Sequence, residues 1–141
     1  MIEFRSASSD ETEKLGEKIA KKLNGTEVLA LYGTMGMGKT AFVRGLARGL
    51  KIKDDVSSPT FAIVHEYSGE KMLYHFDMYR VESWDDLYST GFFDYLGNGI
   101  LAIEWSENIE NALPENTIKL SFSQGEIENE RLIKIEGIES L

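Results

Sequence analysis

Apolar residues recur at helical spacing in two stretches of the chain. The first stretch follows a Ser8-x-x-Glu11 capping box, in which the side chains at each end satisfy free backbone N–H groups of the first helical turn. It predicts a helix over residues 9–22, ended by an Asn-Gly pair. The second stretch predicts a helix that begins at a glycine-rich loop. The apolar positions that mark the two helix faces are Leu15, Ile19 and Leu23 in the first helix and Phe42, Val43, Leu46 and Leu50 in the second.

Short apolar runs predict the strands. Residues 28–32 and residues 100–103 are apolar throughout, which is typical of strands buried on both faces. Two hairpins are predicted from paired runs that are separated by turn residues. Their strands cover residues 61–67 and 72–79 in the first hairpin and residues 117–122 and 131–136 in the second. A short acidic helix is expected over residues 83–90, ended by a glycine.

The order of these elements predicts the fold class. Helix, strand, loop and helix alternate early and hairpins follow, so we expect an α/β fold with a mixed sheet flanked by helices. A length of 141 residues fits one domain, and a hydrophobic content of 42% can supply its core. The whole chain, residues 1–141, is therefore expected to form a single domain.

The loop between the first predicted strand and the second helix carries a specific motif. Residues 33–40 read Gly-Thr-Met-Gly-Met-Gly-Lys-Thr and match the phosphate-binding pattern G-x-x-x-x-G-K-[ST] at every fixed position. Phosphate groups need many inward N–H donors and little side-chain bulk, and glycine permits the required backbone curl. A buried strand before the loop and an amphipathic helix after it provide the expected context. The motif predicts a nucleoside triphosphate site in a P-loop NTPase-like domain.

The motif also predicts residues that act on the phosphates and the metal. Lys39 is expected to reach the β- and γ-phosphates, and the Thr40 hydroxyl is expected to ligate Mg²⁺. A carboxylate near the metal is also needed, and both Asp77 and Glu104 end apolar runs. Thr60 follows Ser-Ser-Pro and has two interpretations, a switch hydroxyl near the γ-phosphate or a turn residue that introduces a strand.

Composition and charge narrow the class of partner. The chain has no cysteine, which excludes a disulfide framework, a thiolate zinc site and a cysteine nucleophile. Its formal net charge is −9 and its lysines and arginines are scattered, so tight binding of nucleic acid by this chain alone is not expected. A basic partner or a nucleotide–metal complex suits this charge better. No apolar run is long enough to span a bilayer and no secretory signal is visible, so we expect a cytoplasmic location and no membrane partner.

Four motifs, in order and at suitable spacing, resemble those of one protein family. They are the phosphate loop, then Ser-Pro-Thr-Phe at 58–61, then His-Phe-Asp-Met-Tyr-Arg at 75–80, then Ile-Glu-Trp at 103–105. This set is similar to that of the TsaE family (older name YjeE), small bacterial ATPases of tRNA threonylcarbamoyladenosine modification. The resemblance covers nearly the whole chain. Phosphate loops are common, but the combination with the other three motifs is highly specific.

The resemblance implies an activity and its partners. It implies a nucleotide-binding α/β fold in which the loop holds ATP or ADP with Mg²⁺. It also implies that Thr40 and Glu104 lie at the metal, while Thr60 and Asp77 serve the switch and the hydrolytic water; with Lys39, these two form the expected catalytic set. The implied partners are TsaD, which transfers the threonylcarbamoyl group, and its companion TsaB. The tRNA, modified at position 37, would be reached only through that complex.

The expected nucleotide contacts extend beyond the loop. The first helix and its lead-in, near residues 8–12 and including Ser9, are where the family meets adenine, and Arg131 is one of several arginines able to contact phosphate. The family's loop usually has alanine at the position of Met37, whose larger side chain can point outward without touching phosphate. The contacts expected from the loop and the helix start are Gly33, Met35, Gly36, Met37, Gly38, Lys39, Thr40 and Ala41.

Three other interpretations remain open at this stage. A GTPase would share the phosphate loop, and residues 94–97 mimic its D-x-x-G motif, but no Asn/Thr-Lys-x-Asp sequence for guanine selection is present. A small-molecule kinase would need a lid and an acceptor pocket, for which 141 residues leave little room. A nucleotide-dependent interaction module would use the same loop for binding rather than turnover. His65 and His75 have no partner pattern and are interpreted as sheet residues rather than ligands.

Overall fold

A seven-stranded sheet organises the fold in the computed structural model, which describes residues 1–57, 59 and 63–141. The strands lie in the order β1-β7-β6-β2-β5-β4-β3. They are β1 Ile2–Ser6, β2 Val28–Tyr32, β3 Val64–Tyr67, β4 Leu73–Asp77, β5 Ile100–Glu104, β6 Ile118–Gln124 and β7 Arg131–Glu136. The helices are α1 Ser9–Ala20, α2 Lys39–Gly49, α3 Trp84–Ser89 and α4 Phe92–Tyr95, and a kinked 3₁₀ segment spans Ser106–Ala112.

The four central strands run parallel. β2 pairs with both β5 and β6, and β4 pairs with β5, all in parallel register. The hairpins β3–β4 and β6–β7 and the outer pair β1–β7 are antiparallel. Because the carboxyl ends of parallel strands meet at one edge of a sheet, the loop after β2 lies at the same edge as the ends of β4 and β5. The predicted mixed α/β sheet flanked by helices is confirmed.

Helices cover the two faces of the sheet with separate apolar clusters. α1 and α2 pack on one face, where Leu15, Phe42 and Leu46 meet strand residues such as Leu31 and Leu120. On the other face, the helices α3 and α4 and the 3₁₀ segment pack on β2, β4 and β5. The buried residues of that second cluster include Phe76, Met78, Leu87, Phe92, Leu101, Ile103 and Ile109. Both faces of β2 and β5 are therefore buried, as the continuous apolar runs predicted.

The helices α1 and α2 touch backbone to backbone. A Cβ atom placed on Gly45 would lie 1.8 Å from the carbonyl oxygen of Glu13, and one placed on Gly16 would lie 2.3 Å from the carbonyl oxygen of Phe42. Farther along, a Cβ on Gly49 would meet the methyl group of Ala20 at 2.6 Å. β1 and β2, which lead into α1 and α2, run in the same direction, because β1 is antiparallel to β7, β7 is antiparallel to β6, and β6 is parallel to β2. Both helices therefore start at the same edge of the sheet and run parallel. Their amino-terminal ends consequently lie together beside the phosphate loop.

Most predicted elements are present, with differences that have local causes. α1 begins at Ser9 as predicted, and the Ser8 hydroxyl oxygen accepts the N–H of Glu11 at 3.2 Å. β4 ends at Asp77 rather than residue 79, because the Asp77 carboxylate accepts the N–H of Tyr79 at 2.9 Å and turns the chain. Residues 61 and 62 of the first predicted hairpin lie outside the described part of the chain. The prediction missed β1, α4 and the 3₁₀ segment. Within the described residues, no helix is long and apolar enough to cross a membrane.

Candidate functional site

Strand alternation gathers three polar side chains at the carboxyl edge of the sheet. Asp77 and Glu104 are register partners on β4 and β5. Leu73, Ile100 and Ala102 of these strands lie in the cluster that contains α1 and α2. Successive side chains of a strand point to opposite faces, so His75, Asp77 and Glu104 share that face. They therefore stand opposite the amino-terminal end of α2.

The phosphate loop connects β2 to α2 through glycines in backbone conformations that favour glycine. Gly33 has φ 138° and Gly38 has φ 101°, both in the left-handed region. Gly38 is also the residue that precedes α2, an 11-residue helix whose first N–H groups face the loop. The helix dipole adds partial positive charge at this end. The loop thus has the backbone geometry and the charge to hold an anion.

Lys39 is a buried cation with donor capacity to spare. Its side chain is only 4% exposed, and its Nζ donates a hydrogen bond of 2.6 Å to the Gly33 carbonyl oxygen. The same Nζ lies 4.5 Å from the centre of the Trp105 ring, a cation–π contact. Trp105 has a left-handed backbone, φ 59°, immediately after Glu104. An ammonium group has three N–H donors, so those not used by Gly33 can bind a phosphate oxygen.

Thr40 and Glu104 bring two oxygen ligands close together. The Thr40 hydroxyl oxygen lies 3.4 Å from Oε2 of Glu104, whose residue is 5% exposed. Neighbouring ligands of an octahedral Mg²⁺ ion lie about 3 Å apart, so this pair fits the ion. Among the described residues, no group of three or more His, Cys, Asp or Glu side chains could hold a metal ion. A metal held by Thr40 and Glu104 would therefore complete its shell with phosphate and water oxygens, as Mg²⁺ commonly does.

His75 contacts the same carboxylate, which the sequence did not predict. The side chain is fully buried, and its Nε2 lies 2.6 Å from Oε2 of Glu104. A carboxylate only accepts hydrogen bonds, so Nε2–H donates and fixes the orientation of Glu104. Nδ1 of His75 is buried without a hydrogen-bond partner within the described residues. The interpretation of His75 as an ordinary sheet residue missed this contact; the His-x-Asp spacing on one strand face was the signal that could have found it.

Asp77 is half-buried at the mouth of this site. Burial raises the pKa of its carboxyl above the usual value, and the charge of Glu104 adds to the rise. The hydrogen bond from the Tyr79 N–H and the charges of His75 and Lys39 act in the opposite direction. A carboxylate with a raised pKa accepts a proton more readily than an ordinary one. Asp77 therefore has the position and the basicity to orient and activate water.

A cavity of about 400 Å³ adjoins the loop. Ser9 at the start of α1, Ala41 on α2 and Arg131 on β7 line it, with Gly36 and Gly38 of the loop. An Nη of Arg131 donates to the Gly36 carbonyl oxygen at 3.3 Å, which links β7 to the loop. Ser8 and Thr12, from the stretch that the resemblance implies meets adenine, also line it, and Ala7 and Asn129 are lining residues that the sequence did not predict. This space has the size and the polar lining expected for a nucleoside next to bound phosphates.

The remaining residues singled out from the sequence do not all lie at this site. Met35 is 78% exposed, but Met37 does not point outward: its side chain is partly buried against the α1–α2 core, because the loop curls back onto that cluster. Thr60 lies outside the described residues, so its predicted switch role stays a prediction. Asp94 of the D-x-x-G mimic lines a surface cavity with Tyr74, near the start of β4. That is the end of the strand opposite to Asp77, so the mimic is not part of the phosphate site.

Comparison with known proteins agrees with this geometry. A family model described as "Threonylcarbamoyl adenosine biosynthesis protein TsaE" matches residues 6–133. The chain is 38% identical over 118 residues to the "tRNA threonylcarbamoyladenosine biosynthesis protein TsaE" of Treponema pallidum, covering 83% of this chain and 87% of that protein. It is 50% identical over 103 residues to the protein of the same name from Aquifex aeolicus, covering 71% and 73%.

A solved structure extends the comparison to the fold. The crystal structure of YdiB from Bacillus subtilis matches with a TM-score of 0.76 at 32% sequence identity. The match covers 94% of this chain and 82% of that chain. All four sequence motifs fall inside the 6–133 region that the family model matches.

Proposed function

The chain belongs to the TsaE family of threonylcarbamoyl adenosine biosynthesis proteins, and from that membership we propose that it binds and hydrolyses Mg²⁺–ATP in support of tRNA threonylcarbamoyladenosine biosynthesis. The observation that supports the proposal most directly is that the phosphate loop lies next to the carboxyl ends of β4 and β5. Thr40 of the loop lies 3.4 Å from Glu104 of β5, and Asp77 of β4 is the register partner of Glu104. These are the parts that a phosphoryl-transfer site requires.

Each residue has a separate task in this mechanism. The Thr40 hydroxyl and the Glu104 carboxylate would hold Mg²⁺, and His75 keeps that carboxylate oriented. When bound, the ion would neutralise part of the negative charge on the triphosphate oxygens. Lys39 and the loop N–H groups donate to the phosphates, while Asp77 orients the attacking water. The cavity beside Ser9 and Arg131 accepts the nucleoside.

The negative charge of the chain indicates that its partners are proteins rather than tRNA itself. With a net charge of −9, the chain is repelled by tRNA phosphates, so its effect on tRNA must pass through other proteins. We assign that role to TsaD and TsaB, in a cytoplasmic complex in which the chemistry on tRNA belongs to TsaD. The chain itself then contributes nucleotide-dependent shape changes near the γ-phosphate.

Two isosteric variants test the division of roles between the carboxylates. Glu104→Gln is expected to raise the Mg²⁺ concentration needed for half-maximal nucleotide binding by about tenfold or more, because a charged metal ligand is lost. Asp77→Asn is expected to leave that concentration unchanged and to lower the rate of turnover by about 10²- to 10⁴-fold, because the group that accepts a proton from water is lost. Mg²⁺ titrations with a fluorescent ATP analogue and phosphate-release assays measure the two effects.

The exposed acid Glu107 provides a control three residues beyond Glu104. Glu107→Gln removes the same charge without touching Thr40 and is expected to match the wild type in both assays. If Glu104→Gln and Asp77→Asn also match the wild type, the assignment of both carboxylates to the site is wrong.

Turnover by the isolated chain is expected to be slow and to rise when the TsaD–TsaB complex is added. The reason is that Asp77 lines a surface cavity together with Ile63 and Tyr79, and a bound partner can reorganise such an exposed site. Phosphate release is measured for the chain alone, with tRNA alone, and with the purified complex. Rapid turnover by the chain alone, or acceleration by tRNA without the proteins, would contradict this account.

A further inference from the structure

The negative charge of this protein is concentrated in one segment. Residues 81–118 contain no Lys, Arg or His, whereas the rest of the chain has nearly equal numbers of acidic and basic residues. This segment includes the strand β5 and the elements α3, α4 and 3₁₀ that pack on the sheet face opposite to α1 and α2. Its acidic residues are Glu82, Asp85, Asp86, Asp94, Glu104, Glu107, Glu110 and Glu115. All of them except Glu104 are exposed, so one side of the molecule is strongly acidic.

Exposed aromatic rings lie together on the same side. Trp84 and Tyr88 of α3 are 52% and 63% exposed, although both are large apolar side chains. The Trp84 ring stacks on Phe93 of α4 with a centroid distance of 6.5 Å and an interplanar angle of 13°. The rings of Tyr88 and Phe93 are 5.0 Å apart. Leu87 is the buried residue of α3, so Trp84 and Tyr88 keep more than half of their surface available to a partner.

This aromatic surface is connected to the catalytic edge of the sheet. A cavity of about 140 Å³ lies between α3 and the end of β4. Asp77, Tyr79 and the exposed Arg80 line it from the strand side, and Asp86, Ser89 and Thr90 line it from α3 and its carboxyl end. Tyr79 in turn packs on Trp105, the residue that covers Lys39, with ring centres 5.0 Å apart. A molecule bound on α3 would therefore lie beside the groups that handle phosphate and water.

We propose that the surface formed by Trp84, Tyr88 and Phe93 and rimmed by Asp85, Asp86 and Asp94, the α3 surface, is a docking site for a basic segment of a protein partner. Exposed aromatic rings next to carboxylates are the complement of arginine and lysine side chains, which stack on the rings and pair with the acids. Nucleic acid and anionic lipid carry the same sign of charge as the rim and are disfavoured. With the function proposed above, on which the partner's identity rests, the basic segment belongs to the TsaD–TsaB complex.

The docking site is tested by binding of the purified TsaD–TsaB complex to variants of the full chain. Trp84→Ala combined with Tyr88→Ala is expected to weaken binding by at least about tenfold, because exposed aromatic anchors carry a large share of interface energy. Asp85→Lys reverses a charge at the rim of the surface and is expected to weaken binding as well. The loss of affinity should be larger at low salt than at high salt, because salt screens exposed charges. Ile127→Ala is the matched control: Ile127 is 64% exposed but lies in the β6–β7 turn, and its loss is expected to leave binding unchanged.

The affinity of each variant for a fluorescent ATP analogue is measured in parallel and should equal that of the wild type. That equality shows that the α3 variants are folded and that the nucleotide site is intact. If they then bind TsaD–TsaB as tightly as the wild type, the docking site is wrong while the proposed function stands. If the wild type itself does not bind TsaD–TsaB, both the partner assignment and this docking site are wrong. Binding to tRNA that is lost in the α3 variants would also overturn the proposal.

Discussion

Replacing Lys39 with alanine is expected to lower the affinity for ATP by at least about a hundredfold. In the structure Lys39 is 4% exposed as a residue, and among the described residues its ammonium donates one hydrogen bond, to the Gly33 carbonyl oxygen. An ammonium group has three N–H donors, so two more are expected to bind the β- and γ-phosphates. Two hydrogen bonds to a charged group contribute about 1.5–3 kcal/mol each, and every 1.4 kcal/mol is a factor of about ten in affinity. Titration with a fluorescent ATP analogue measures the loss.

A second variant separates charge from packing at this position. Lys39→Met keeps an unbranched stem under the Trp105 ring but removes the ammonium group, so it is expected to lose affinity as Lys39→Ala does. Lys53→Ala removes an exposed lysine after α2 and is expected to bind like the wild type. A folded Lys39→Met protein with wild-type affinity would show that this cation does not contact the nucleotide.

The sequence predicted well those parts of the fold that are determined by residues close together in the chain. The capping serine fixes the start of α1, and the apolar run of residues 28–32 is β2 to the residue. The phosphate loop is recognisable because its glycines and its lysine all lie within residues 33–40. The mixed sheet followed from the order of helices and hairpins, and the structure confirms it.

The parts that were missed depend on contacts between distant segments. His75 and Glu104 are 29 positions apart, and Arg131 and Gly36 are 95 positions apart, so no local pattern connects them. β1 is a five-residue edge strand whose pairing with β7 joins the two ends of the chain. The packing of Met37 against the α1–α2 core likewise depends on residues that are distant in the chain.

The glycines of α1 and α2 show how a tertiary contact overrides a local preference. Glycine in a helix interior is less favourable than alanine by about 1 kcal/mol, so Gly16 and Gly45 weaken the two predicted helices. The structure supplies the reason for them, since each lies against the backbone of the other helix. Because the amino-terminal ends of both helices border the nucleotide cavity, this contact also sets the width of the cavity between Ser9 and Ala41.

Gly45→Ala is therefore expected to destabilise the protein, although alanine is the better helix former. The added methyl carbon would lie 1.8 Å from the carbonyl oxygen of Glu13, a backbone atom that no rotation of a side chain can move away. Forcing extra volume into a packed contact costs about 1–3 kcal/mol, and in a backbone–backbone contact we expect the upper end of that range or more. After the gain in helix propensity, the free energy of unfolding should fall by about 2 kcal/mol.

Urea unfolding of a graded series measures this effect. Gly49→Ala should lower the free energy of unfolding by less than Gly45→Ala does, because the new methyl would approach its neighbours less closely, with Ala20 Cβ at 2.6 Å and the Glu17 carbonyl oxygen at 3.0 Å. Lys18→Ala, on the exposed face of α1, should change it by no more than about 0.5 kcal/mol. Gly45→Ala should also weaken ATP binding, because α1 and α2 must separate beside the cavity, while Lys18→Ala should not. A Gly45→Ala protein as stable as the wild type, with unchanged affinity for ATP, would show that the close contact of these helices determines neither property.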